Sequence, residues 1–300
     1  MADMKIGLAL GSGASRGWSH IGVIKALVKQ GIEPDIVCGT SIGSLVGASY
    51  VSGHLDDLEQ WALSLSKLNT VKFFEINRSF NGFVNKDRLH HFLSQYVASD
   101  KALIEEFDKD YASVATDLKT GREIWLSEGS VLEAVWASIS LPGLFPAIQH
   151  DNKWLVDGGL VNPVPVSTCR ALGADVVIAV NLNGDIVGKH IGKQEKTIKP
   201  SGKVVDKLTN LVAEYTDSIF SFDRNQEQTP SLFEAIAGSV NITQDRITRS
   251  RMAGDPPDII LTPKLSQMGL LEFYRAQEAI DEGMDCVERM MQEIQCTVGK

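Results

Sequence analysis

The residues best suited to chemistry lie in Gly39-Thr40-Ser41-Ile42-Gly43, a G-x-S-x-G pentad entered directly from the apolar run Ile36-Val37-Cys38. Such a pentad makes a nucleophile elbow when a strand turns sharply into a helix. The glycines let the backbone fold without Cβ clashes and the serine hydroxyl stands at the tip. The helix expected to follow opens with the small residues Gly43, Ser44, Gly47, Ala48 and Ser49, at a spacing that lets it lie close to neighbouring strands. Its free amides and positive dipole end favour an oxyanion developing beside Ser41. Acyl transfer with Ser41 as nucleophile is therefore the chemistry to expect.

With 26 glycines in 300 residues the pentad decides little by itself. A second copy, Gly13-Ala14-Ser15-Arg16-Gly17, also follows an apolar run, Ile6 to Leu10. Context favours Ser41, because Gly39 follows its strand directly, whereas Ser15 comes after a Gly11-Ser12 break in a loop too long for an elbow. That loop has another use. A strand, a glycine loop and a helix present backbone N–H groups to an anion, and Gly11-x-Gly13 begins a dinucleotide fingerprint. The third glycine falls one residue late, at Gly17, and Asp35 stands at the start of the next strand rather than its end, which argues against a nucleotide. An oxyanion loop needs less: Gly13 and Ala14 have only to point two amides at a carbonyl oxygen as it becomes negative.

Around these loops the chain alternates apolar runs with amphipathic stretches. With 43% hydrophobic residues it can bury a large core, and one α/β domain over 1–300 is the economical expectation. A formal net charge of −9 argues against nucleic acid as the main partner. The four cysteines, Cys38, Cys169, Cys286 and Cys296, form no C-x-x-C pair, so neither zinc nor a disulfide framework is indicated and reduced, cytoplasmic thiols are expected. The N-terminal apolar stretch is too short for a signal peptide, and no run of about 18 apolar residues offers a membrane span.

In order, the patterns predict strands at 5–10, 35–38, 111–116, 123–126, 153–156, 175–181 and 258–262. Helices are predicted at 18–30, 55–68, 87–98, 131–140, 166–172, 204–222, 231–251 and 270–294. The connector 69–85 carries Phe73, Phe74, Phe80 and Phe83, an acyl-chain surface or a satellite core. Leu144 and Phe145, in a loop fixed by Pro142, Gly143 and Pro146, are positioned to line a pocket or to pack. Asp157-Gly158-Gly159 follows a strand, and an Asp-Gly pair alone reads as a hairpin turn. The segment 184–203 reads as a mobile insertion with Lys189, Lys193, Lys196, Lys199 and Lys203 against Asp185 and Glu195, a solvated loop or a contact for anionic lipid headgroups. Arg246, Arg249 and Arg251 suit the dipole at the end of the helix before it turns at Gly254.

Three motifs in fixed order, the 11–17 glycine loop, the 39–43 pentad and Asp157-Gly158-Gly159, resemble the patatin-like phospholipase family. Ala137-Ser138 and the run from Arg251 to Asp258 extend the resemblance, which is strongest over 5–181 and is nearest to bacterial members of the RssA type. It implies a three-layer α/β/α fold around a central, mostly parallel sheet, with a helical C-terminal portion. It also implies lipid acyl ester hydrolysis by a Ser–Asp dyad, without histidine, metal or other cofactor. Carried over, Ser41 is the nucleophile, Asp157 the base, and the amides around Ser12, Gly13 and Ala14 the oxyanion hole. The expected partners are a lipid or phospholipid substrate and, peripherally, a membrane surface, with the protein itself cytoplasmic. Ser12 and Ala14 stand where the family usually has glycine, and an L-residue restricts φ at Ala14.

Two alternatives stay open. A patatin-fold binding or regulatory protein with little turnover would tolerate the Ser12 and Ala14 departures. An α/β-hydrolase-type esterase needs a histidine after its acid, and only His190 follows Asp157; His20 lies on the helix after the glycine loop. In a dyad, Asp157 must take the Ser41 proton itself, so desolvation has to raise its basicity.

Overall fold

The computed structural model describes residues 4–74, 86–142, 144–185 and 232–299. Most of the lysine-bearing segment, the helix expected at 204–222, Phe80, Phe83 and His190 lie outside the described residues, as do the side chains of Phe73 and Phe74.

Strands β1 (Ile6–Leu10), β2 (Ile36–Thr40) and β3 (Asp110–Asp117) open the sheet, with helix α1 (Ser19–Lys29) between the first two. Between β2 and β3 come α2 (Ile42–Val51), α3 (Leu55–Leu63), α4 (Lys67–Phe74) and α5 (Lys86–Tyr96). Then follow β4 (Glu123–Leu126), α6 (Val131–Ile139), β5 (Ile148–His150), β6 (Lys153–Asp157), α7 (Val166–Ala171) and β7 (Val176–Val180). Helix α8 (Leu232–Gly254), β8 (Ile259–Leu261) and α9 (Ala276–Thr297) complete the described elements. Pairing runs β5-β6-β3-β2-β1-β7-β8, with β4 also on β3. β1, β2, β3, β7 and β8 are parallel; β4, β5 and β6 are antiparallel.

Alternation within the buried strands sends side chains to two different cores. Leu8, Leu10, Val37 and Tyr111 face a large core built with α1, α2, α3, α5, α6 and α9. Ala9, Cys38, Ala112 and Ala179 face a smaller one completed by Val166 and Cys169 of α7, with Met252 of α8 at its margin. The result is the three-layer α/β/α arrangement. Small residues on the thinner side let α7 approach closely, and the parallel strands β1, β2 and β7 are buried along their whole length.

Several boundaries differ from expectation for local reasons. The helix expected over 55–68 is two, because the Ser66 hydroxyl accepts the Asn69 N–H at 3.1 Å and starts α4 afresh. The helix expected from 18 begins one residue later, after a 3-10 turn over Ala14–Trp18. β5 was not expected; its hairpin with β6 turns at Asp151-Asn152, with φ +47° and +59°, a conformation these two residue types tolerate. Arg251 stands in the last turn of α8, and it and Arg249 are also anchored by carboxylates. Arg251 Nη2 donates to Glu123 Oε2 at 2.7 Å, and Arg249 holds the buried Asp245 at 2.9 Å.

Candidate active site

The sheet's hydrogen-bond register brings two distant segments together. Ser113 pairs with both Gly39 and Leu126, and Ala115 with both Ile124 and Asp157, so β2 and β6 must share one edge of β3 and β4 the other. β2 ends opposite Val114, and β6 runs the opposite way to end at Ala115. Two strand ends therefore meet head to head, the first delivering Ser41 and the second Asp157.

Ser41 has φ +56° and ψ −125°, the strained conformation of an elbow. Only glycines fit around it. A Cβ on Gly39 would lie 2.3 Å from Ser44 Cα, and one on Gly43 would lie 2.1 Å from the Leu10 carbonyl oxygen. The Ser41 N–H is held by Ser138 Oγ at 2.8 Å, and that hydroxyl donates in turn to Val114 O at 2.6 Å. Behind the elbow helix, Ser44 shares hydrogen bonds with Tyr111 and Ser113, which fixes α2 against β3.

Ser41 Oγ donates to Asp157 Oδ2 at 2.6 Å. The other oxygen, Oδ1, accepts the Gly159 N–H at 2.7 Å. Asp157 N–H donates to Ser140 O at 3.0 Å, and Thr116 Oγ1 donates to Asp157 O at 2.8 Å, so backbone and side chain are both located. The carboxyl is 1% exposed. Burial raises its pKa from 3.8 to about 6, against the opposing pull of the Ser41 and Gly159 hydrogen bonds.

The glycine loop leaves the carboxyl end of β1, beside the elbow. Ser12 is occupied: its N–H donates to Pro163 O at 2.8 Å and its hydroxyl to Gln244 Oε1 at 3.1 Å. The N–H groups of Gly13 and Ala14 have no hydrogen-bond partner among the described residues. Ala14 takes φ +50°, the left-handed conformation in which glycine is easier. Ser15, the competing serine, is buried, its hydroxyl donating to Gly269 O at 2.7 Å and its N–H to Leu270 O at 3.2 Å. No described histidine shares a hydrogen bond with Ser41 or Asp157. His20 is buried with Nε2 at 2.7 Å from Gly11 O, and burial lowers its pKa to about 4.

Ser41 and Ala14 lie in the wall of a cleft that opens to solvent. Apart from Thr70, the rest of the wall is built of apolar and aromatic residues, among them Trp18, Trp61, Phe92, Leu144 and Phe145. Trp18 packs edge-on against Trp61 and Phe273, with centroids 6.0 and 5.8 Å apart. Besides Ser41, Thr70 is the one hydroxyl among the described lining residues, and it is tied to Ser66 O at 2.9 Å. Among the described residues there is no cluster of three metal-ligating side chains, and no helix is long and apolar enough to cross a membrane.

The model of the family described as patatin-like phospholipase matches residues 8–170, from β1 to the end of α7 and more than half of the chain. The chain belongs to the patatin-like phospholipase family. Among individual members it is similar to the NTE family protein Rv1063c of Mycobacterium tuberculosis (strain ATCC 25618 / H37Rv), 28% identical over 93% of this chain and 89% of that protein. It is also 28% identical to Lysophospholipase NTE1 of Pyricularia oryzae, over 94% of this chain but 18% of the fungal protein. Lysophospholipase nte1 of Aspergillus fumigatus is 34% identical over 59% of this chain and 12% of its own length. The family match contains Ser41, Asp157 and the glycine loop. Ser138 also falls within it, whereas Gln244 lies well beyond it. Ser138 stood out in the sequence only through the resemblance and Gln244 not at all, because each makes a contact that only folding creates.

Proposed function

We propose that the protein is a serine acyl hydrolase that cleaves lipid carboxylic esters with a Ser41–Asp157 dyad. The coarser part, a lipid acyl hydrolase, follows from membership of the patatin-like phospholipase family and from lysophospholipases among its relatives. The observation that carries the finer part is the 2.6 Å hydrogen bond from Ser41 Oγ, in the wall of an apolar cleft, to the buried Asp157 carboxylate behind it.

In the first step Ser41 Oγ attacks the ester carbonyl carbon while its proton passes to Asp157 Oδ2. A carboxyl with pKa near 6 is a better base than an exposed aspartate and is still ionised at neutral pH. The carbonyl oxygen becomes an oxyanion and is held by the free N–H groups of Gly13 and Ala14. Ser12 contributes its loop position rather than its amide, which Pro163 already occupies. The tetrahedral intermediate then expels the alcohol, which takes the proton from Asp157, and leaves an acyl ester on Ser41. A water gives its proton to Asp157 and attacks the acyl carbon. Collapse releases the carboxylic acid, and Ser41 Oγ regains the proton. The apolar wall suits an acyl chain and excludes water from the alkoxide.

The test is reaction with a fluorophosphonate followed by mapping of the labelled peptide. Ser41 is expected to carry the label, and Ser41→Ala is expected to abolish both labelling and ester hydrolysis. Label on Ser15, or hydrolysis that survives Ser41→Ala, refutes the assignment. A regulatory role without turnover would give neither labelling nor hydrolysis in the wild-type protein.

A further inference from the structure

We propose that Gln244 is a positioning residue that ties the oxyanion loop and the Asp157 turn into one rigid unit, assisted by Asn241 on the same face of α8. The inference rests on the Ser41–Asp157 reading and extends it to a helix outside the family-matched stretch.

Gln244 is buried at the meeting point of three segments. Its Oε1 accepts the Ser12 hydroxyl at 3.1 Å and the Asn183 side-chain amide at 3.2 Å. Its Nε2 lies against Gly159, so close that a Cβ there would stand 2.4 Å away. Gly159 is the residue whose N–H holds Asp157 Oδ1. One side-chain amide therefore touches both the loop with the free amides and the turn that carries the base.

Asn241, three residues earlier and on the same helix face, accepts Arg16 Nη2 at 3.0 Å. Arg16 is fully buried; its Nε donates to Gly13 O at 3.2 Å and its Nη1 to Leu182 O at 3.3 Å. Ser12 and Arg16 thus bracket Gly13 and Ala14, and a single face of α8 grips both. The guanidinium charge on the Gly13 carbonyl also polarises the peptide whose N–H is that of Ala14, which strengthens that donor. The serine in a glycine place then has a purpose, since its hydroxyl is the handle that Gln244 holds.

Oxyanion donors act only when aimed at the developing charge, and loss of one costs about a hundredfold to a thousandfold in kcat. Loosening both donors without removing either is expected to cost less, about tenfold to a hundredfold. Gln244 does not line the cleft, so KM should stay within about twofold.

The experiment measures kcat and KM for a p-nitrophenyl acyl ester with the full chain, kcat being expressed per site titrated by the fluorophosphonate. The proteins are wild type, Gln244→Ala, Ser12→Gly and the double variant. Titration separates a slower site from a smaller folded fraction, which a merely structural role would produce. The expected result is a fall in kcat per titrated site for Gln244→Ala, a smaller one for Ser12→Gly, and a double variant no slower than Gln244→Ala. If Gln244→Ala does not fold, Ser12→Gly decides alone. Wild-type kcat per site in the variants, or losses that multiply as for independent residues, overturns the clamp while leaving the dyad standing. A wild-type protein that does not label overturns the dyad reading first, and the clamp with it.

Discussion

Asp157→Asn should inactivate the protein and at the same time stabilise it, in a pH-dependent way that the burial of this carboxyl dictates. The side chain is 1% exposed, and burial raises its pKa from 3.8 to about 6. For an acid whose folded pKa lies above its unfolded one, the folded state binds the extra proton between the two values. Stability is then fully present below pH 3.8 and falls by about 1.4 kcal/mol per pH unit until about pH 6. Over that interval of about two units the ionised carboxylate costs about 3 kcal/mol at neutral pH. Asparagine carries no charge, and its amide can still accept from Gly159 N–H and donate to Ser41 Oγ. The variant should therefore match wild type near pH 4 and exceed it by up to about 3 kcal/mol at pH 8. The assay is urea denaturation of both proteins at pH 4, 5, 6, 7 and 8, read as the difference in unfolding free energy. A difference that does not change with pH, or that favours wild type at pH 8, refutes the claim that Asp157 is held as a desolvated base. A gain in stability together with a loss of turnover is the trade-off expected where a site keeps a strained group for its chemistry.

The same carboxyl should impose an acid limb on catalysis, with kcat/KM falling tenfold per pH unit below about pH 6; a limb centred near 4 would show an unperturbed base. Gly43→Ala should cost more than about 3 kcal/mol or prevent folding, because its Cβ would lie 2.1 Å from Leu10 O; recovery of a wild-type melting midpoint would contradict the close packing of α2 on β1. Ala14→Gly should keep activity and raise the midpoint slightly, since relief of the left-handed strain at φ +50° slightly outweighs the added freedom of glycine in the unfolded chain; a marked loss of stability would argue against it. Along a series of linear acyl esters kcat/KM should rise about fourfold per methylene until the cleft is full, and Leu144→Glu should flatten that slope while sparing acetyl esters. If the lysines at 189, 193, 196, 199 and 203 draw the protein to anionic lipid, changing all five to glutamine should weaken vesicle sedimentation at 0.1 M salt and make no difference at 1 M.

Much of the site was legible in the chain because it is local. The elbow needs a strand, two glycines and a small-residue helix in immediate succession, and all of these are visible between Ile36 and Ser49. The apolar runs gave the strands to within a residue or two because parallel strands covered on both faces have little freedom in composition. Short-range competition decided what periodicity missed: the Ser66 cap that divides α3 from α4, and the Asp151-Asn152 turn that creates β5.

Asp157 shows the limit of that reading. Its Asp-Gly-Gly run is ambiguous by itself, and only the resemblance suggested a base. What brings it to Ser41 is that β2 and β6 end facing each other on one edge of β3, a matter of register between strands 116 residues apart at their closest functional atoms. The raised pKa, the occupied amide of Ser12 and the grip of Gln244 on Ser12 and Gly159 likewise depend on which groups water can no longer reach. The sequence by itself determined which residues can perform the chemistry, because residue type sets the available nucleophile, acid and turn. The tertiary structure decided which of them meet and in what protonation state, because distance and desolvation are properties of the packed chain.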